Sequence, residues 1–240
     1  LYKKITIHLF FYVVALISIL TGLFKEFLIF SLIIVIHESG HILAALYYKW
    51  KIDKVIILPF GGLTIFKETL NRPIYEEFII TIMGPLSQIL FYFVYNLIFG
   101  YNNLIMNYHY AILLFNILPI YPLDGAKIIN LLLCKYISFK MSHLFTILLS
   151  IVIIIIALVL SFIYKINFVF FLILFFLIVK IYSELKNHNF IFNKFLFERY
   201  IYDFPFNKRK IIRGNRVNKM YRDYKHLFYI DNRYCLEREI

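Results

Sequence analysis

Apolar residues dominate six runs of the chain, near 5–22, 27–48, 77–99, 104–133, 142–163 and 166–183, with short polar connections between them. A helix needs about 20 mostly apolar residues to cross the hydrocarbon of a bilayer, so each run predicts a spanning helix. The fourth run is interrupted by Pro119 and Pro122. Proline removes a backbone donor and breaks or kinks a helix, which membrane depth tolerates only where protein or a water-filled cavity satisfies the freed groups. Residues 51–67 are too short and too punctuated to span. They hold two strand-like stretches, 55–58 and 63–66, around Pro59-Phe60-Gly61-Gly62. That pattern predicts a hairpin; the alternative is an ordinary loop with two apolar patches. The expected fold is therefore an all-α polytopic membrane protein of about six transmembrane helices, with a short membrane-associated β-hairpin between spans two and three.

Charge orients this arrangement. Lys3 and Lys4 precede span one, Lys49, Lys51, Lys54, Lys67 and Arg72 follow span two, and Lys135 and Lys140 follow span four, whereas the intervening connections hold Lys25 and Lys165. Cytoplasmic loops carry the excess of Lys and Arg, so both termini are expected in the cytoplasm, in agreement with an even number of spans. No small-residue cleavage site follows span one, which reads as a retained span and not as a signal peptide.

Composition supports the bilayer as solvent: 62% of the 240 residues are hydrophobic and the mean hydropathy is +0.76, against roughly 45–50% apolar in a soluble domain. The net charge of +12 raises nucleic acid as a partner, but half of the Lys and Arg lie beyond position 183. Such a segment suits a cytoplasmic tail beside anionic lipid better than a nucleic-acid surface. Two domains are expected, a membrane domain over 1–183 and a basic cytoplasmic tail over 184–240. Cys134 and Cys235 have neither metal nor redox spacing, so no disulfide framework or CxxC site is indicated.

Candidate chemistry begins at His37-Glu38-Ser39-Gly40-His41, in the middle of span two. Positions i and i+4 of a helix share a face, so His37 and His41 can present two imidazoles to one metal. Glu38 can reach the open position of that metal and take a proton from bound water, which is the HExxH arrangement of zinc hydrolases. A carboxylate and two imidazoles at membrane depth are costly unless paired or metal-bound, so such a cluster marks a functional site. A hydrolytic zinc site needs a third protein ligand. Asp124, in the interrupted fourth run beside Gly125, is the candidate; its alternative reading is the start of a cytoplasmic loop. The remaining histidines, His8, His109, His143, His188 and His226, do not repeat at ligand spacing.

HESGH in span two together with Asn116-Ile-Leu-Pro119-Ile-Tyr-Pro122-Leu-Asp124-Gly125 in span four resembles the site-2 protease family of intramembrane metalloproteases. LPFGG at 58–62, NRP at 71–73, EEF at 76–78, GPL at 84–86 and FLFERY at 195–200 extend the likeness, from about position 8 to 200, to the sporulation branch that processes the pro-sigma-K transcription factor. The resemblance implies His37, His41 and Asp124 as zinc ligands and Glu38 as general base. It also implies a place near the substrate or active site for Asn116 and Pro119. Asn116 equally suits a polar residue bonding a helix carbonyl freed by the prolines. Gly84-Pro85 fits a kink that admits substrate or a notch for helix packing. Sporulation-type members usually carry a nucleotide-sensing domain after the membrane part, whereas about 57 residues follow span six here. That stretch is near the size at which a core fails unaided, so its basic, Tyr- and Arg-rich run at 207–238 reads as a partner-binding or lipid-facing segment.

The function expected is that of an intramembrane zinc metalloendopeptidase, cutting a membrane-associated protein, a pro-sigma factor during sporulation, with membrane inhibitor proteins as further candidate partners. The rivals are a divalent metal transporter and a catalytically inactive membrane scaffold. Only one compact ligand set is visible, against transport, and every role of the hydrolytic set is filled, against the scaffold.

Overall fold

In the computed structural model, which describes residues 5–7, 9–58, 61–164 and 168–239, helices form within the apolar runs, although run one and the interrupted run four give helices shorter than a span. They are α1 (Leu9–Leu20), α2 (Phe24–Tyr47), α3 (Ile74–Phe99), α4 (Asn103–Ile117), α5 (Asp124–Cys134), α6 (Phe139–Ile163) and α7 (Phe168–Ile201). Among the described residues, α2, α3 and α6 are long and apolar enough to cross a membrane. Leu28, Leu32, Val35 and Leu43 of α2 are exposed, while Ile33, Ile34, Ala44 and Ala45 are buried. A helix with apolar side chains on its exposed as well as its buried side suits a bilayer, where lipid takes the outward ones.

The chain divides into two units, one of Leu1–Glu68 and Phe78–Asn116, the other of Thr69–Glu77 and Ile117–Ile240. In the first, β2 (Ile52–Leu58) and β3 (Gly61–Phe66) form the expected hairpin, antiparallel with Val55 opposite Thr64. Run one differs from expectation at its start: β1 (Ile5–Ile7) is a strand, parallel to β2 with Ile5 opposite Val55. The β-branched residues of Ile5-Thr6-Ile7 fit a pleated sheet, and pairing satisfies backbone groups that a helix start would leave open. Strand order β1-β2-β3 leaves β3 at an edge. Trp50 meets Phe66 edge to face, ring centroids 5.4 Å apart, over a core of Ala44, Ala45 and Ile80, and so ties the hairpin to the end of α2. Ile33 and Ile34 of α2 pack with Ile112 of α4, beside Phe91 of α3.

The second unit holds the break that Pro119 and Pro122 predict, between α4 and α5; the Tyr121–Pro122 peptide is cis. Ser150 of α6 accepts a hydrogen bond from the Tyr121 amide at 2.9 Å, an internal partner of the kind such a break requires. A Cβ on Gly125 would strike the Ile117 and Leu118 carbonyls, so only glycine lets α5 start this close to the end of α4.

The basic tail is folded. Helix α7 runs to Ile201, and β4 (Lys208–Arg213), β5 (Tyr224–Ile230) and β6 (Arg233–Leu236) form a sheet, β4 parallel and β6 antiparallel to β5. So short a stretch holds a core by borrowing one: Ile212, Met220 and Phe228 are buried with Phe192 and Phe195 of α7 and with Cys134 and Phe139. Polar contacts join the first turn of α3 and the segment just before it to the same core. Arg199 Nε donates to Asn71 Oδ1 at 2.7 Å, Asn71 Nδ2 donates to Glu198 at 3.1 Å, and Arg222 Nη1 donates to Glu77 at 2.8 Å. Asn71, Glu77, Glu198 and Arg199 belong to the NRP, EEF and FLFERY stretches. A buried charge is tolerated when so paired and costs several kcal/mol when its partner is removed, about 3–5.

Candidate metal centre

Helical spacing places His37 and His41 on the buried face of α2, 3% and 8% exposed. Their Nε2 atoms lie 3.2 Å apart with the rings at 76°. Each ring is held from behind by α3: His41 Nδ1 is 2.8 Å from the Ile80 carbonyl, and His37 Nδ1 is 3.1 Å from Gln88 Oε1. A carbonyl oxygen can only accept, so each Nδ1 carries a proton, and in the neutral ring each Nε2 then presents a lone pair. Two lone pairs facing across 3.2 Å repel unless a cation lies between them.

Glu38 completes the group; ligand atoms of His37, Glu38 and His41 all lie within 4.8 Å of one another. Thr64 Oγ1 of β3 donates to Glu38 Oε2 at 3.1 Å, so the hairpin fixes the carboxylate. Two glycines make the cradle. A Cβ on Gly62 would run into the Glu38 side chain, and one on Gly84 would strike the imidazole of His41 and come within 2.9 Å of His37 Nε2. Gly84 is thus not merely a kink or a packing notch: it keeps side-chain bulk away from the two facing nitrogens.

The donor set fits zinc. Two imidazole nitrogens about 2.0–2.1 Å from one ion, at a near-tetrahedral angle, lie roughly 3.3–3.4 Å apart, close to the separation observed. Zinc-ligating histidines also donate their other N–H to a carbonyl or carboxylate, as both rings do here.

Asp124 stands in the second unit as the first residue of α5, buried, with Lys127 Nζ 3.4 Å from its Oδ1. The helix N-terminus favours a carboxylate at that position. Asn116 Nδ2 donates to the Ile112 carbonyl at 3.1 Å, within its own helix, so it does not reach a carbonyl freed by either proline. Pro119 lies in the break between α4 and α5. Elsewhere in the second unit, His143 pairs with His188 and Glu184 at 2.8 and 2.9 Å. His8 lies outside the described residues.

Sequence reasoning missed Gln88, the Ile80 carbonyl and Thr64. A glutamine in an apolar run was an available signal, because polar side chains at membrane depth need partners. The carbonyl carries none, since every residue has one.

Comparison with known proteins agrees with this geometry. The model of peptidase family M50 matches residues 25–106, which include all three residues of the cluster. Stage IV sporulation protein FB of Bacillus subtilis is 34% identical over 205 residues, spanning 82% of this chain and 71% of that protein. A zinc metalloprotease of Methanocaldococcus jannaschii is 30% identical over 144 residues, 55% of this chain and 42% of that protein. In fold, the solved site-2 protease from Methanocaldococcus jannaschii superposes with a TM-score of 0.58 at 24% identity, covering 75% of this chain and 89% of that one. Apolar helices around a His-Glu-His group whose two histidines are buried define an integral membrane metalloprotease. The chain belongs to peptidase family M50, the site-2 proteases.

Proposed function

We propose that this protein is an intramembrane zinc endopeptidase that cuts a membrane-associated protein substrate, a pro-sigma factor of sporulation. The observation that carries the reading is the pair of Nε2 atoms, 3.2 Å apart on a membrane-length helix, with the Glu38 carboxylate beside them. The relation to stage IV sporulation protein FB supports the choice of substrate. Co-expression with a tagged pro-sigma protein tests it: a shortened substrate is expected, sensitive to chelator, and an intact one would overturn it.

By the resemblance, His37, His41 and Asp124 are the residues that would hold the ion, with one position left for water. Zinc, when bound, lowers the pKa of that water towards neutrality and draws charge from the scissile carbonyl. Glu38 takes the proton on its carboxylate and returns it to the leaving amine. Thr64 holds that carboxylate by Oε2, so the base keeps one orientation through both transfers. Asn116 and Pro119, by the resemblance, lie near the substrate.

A helical substrate hides its carbonyls and must unwind to be cut. An extended segment would add to the edge of β3, the strand-addition mode of peptide recognition, and pass Glu38 because Gly62 and Thr64 touch it. Proline at β3 positions whose N–H points away from β2 should then slow cleavage. Parent rates throughout such a scan would remove this binding mode.

Six spans with both termini in the cytoplasm remain our topology, on the alternation of basic connections. In a chain lacking its native cysteines, Lys67→Cys and a reporter after Ile240 should report the cytoplasm, and Tyr101→Cys the opposite side. Labelling of position 67 from outside would overturn the assignment.

A further inference from the structure

Gln88 is completely buried in α3, in a run whose apolar character gives it no solvent to bond. Its amide has a direction. Gln88 Nε2 donates to the His109 carbonyl at 2.8 Å and lies 3.3 Å from His109 Nδ1, so the amide nitrogen faces α4. Gln88 Oε1, which can only accept, is left facing His37 Nδ1 at 3.1 Å. Flipping the amide would set its hydrogens against the His37 N–H and its oxygen against the His109 carbonyl. His109 is itself immobilised, 3% exposed and stacked on Tyr92 with centroids 4.3 Å apart and planes at 9°.

We infer that Gln88, oriented by His109, is a positioning residue that locks His37 in the tautomer whose Nε2 can bind metal. Without an acceptor at Nδ1, the neutral ring is free to move its proton to Nε2, where it blocks ligation. His41 needs no such device, because its Nδ1 faces the Ile80 carbonyl, which no side-chain substitution removes. The two ligands are therefore held unequally: one by backbone, one by a side-chain relay that reaches from α3 to α4. The inference rests on the zinc-protease reading.

The relay predicts a split between holding the ion and using it. Gln88→Met keeps bulk and apolar fit but removes acceptor and donors; zinc affinity, measured by chelator competition on purified protein, should fall roughly 10–100-fold, the usual cost of losing such a partner. Once zinc is saturating, kcat should return to within about threefold of the parent, since Glu38 and the first ligand set are unchanged. His109→Phe retains the backbone carbonyl and the stack on Tyr92 but loses the Nδ1 acceptor, and should weaken zinc by a smaller factor. Parent-like zinc affinity in Gln88→Met would overturn the inference. Should that variant melt as unfolded protein, unchanged affinity in His109→Phe would do so. Failure of the underlying reading looks different: the parent protein itself would bind no zinc and cut nothing.

Discussion

Glu38→Gln protein should keep its zinc and lose cleavage by about 10²–10⁴-fold, the range that a positioned general base supplies. The amide matches the carboxylate in size and can still meet Thr64, whose hydroxyl bonds Oε2 at 3.1 Å. It cannot accept a proton from water. Both imidazoles and the carbonyls behind them are untouched, so metal content should not move. Asp124→Ala separates the other role, because removing one of three proposed ligands should lower zinc occupancy and activity together. Zinc stoichiometry and cleavage measured on the same samples decide between the roles. A transporter would show altered ion flux with no peptide cut by the parent, and a scaffold no consequence beyond stability. Parent-rate cleavage by Glu38→Gln protein would refute Glu38 as the base.

Gly84→Ala should be nearly as damaging, and by a different route. Alanine for glycine inside a helix normally stabilises by about 0.5–1 kcal/mol through lost unfolded-state freedom. Here the added methyl would overlap the His41 ring and lie 2.9 Å from His37 Nε2, where the ligand nitrogens converge. Overpacking of this kind costs about 1–3 kcal/mol, which reverses the sign, and the methyl also crowds the place a metal would occupy. The variant should insert and fold with a lower melting temperature and bind zinc at least about tenfold more weakly. The comparison with Gly100→Ala is informative. Gly100 has open space around its Cβ position and a φ of +76°, so that change should strain the backbone without touching metal binding. Zinc retained at parent level in Gly84→Ala would show that α2 and α3 part easily, and would remove the cradle as an explanation.

The sequence alone determined the local features. Uninterrupted apolar runs specify helices for a bilayer, the spacing of His37 and His41 specifies a shared face, and Pro119 and Pro122 specify a break, because each signal is carried by residues within a few positions of one another. The hairpin was legible for the same reason, in strand-forming stretches flanking Pro59 and the paired glycines. Tertiary structure decided what depends on residues far apart in the chain. The acceptor for His37 comes from Gln88, 51 positions away, and the acceptor for His41 from Ile80, 39 away. No periodicity links such pairs. The strand Ile5–Ile7 exists because β2 is there to pair with it. The sheet at 208–236 holds because Phe192 and Phe195 of α7 lend it a core, although its own apolar residues are too few. Burial and hydrogen bonding are properties of the assembled chain, so a glycine that reads as a kink in sequence proves to be the space beside two facing imidazoles.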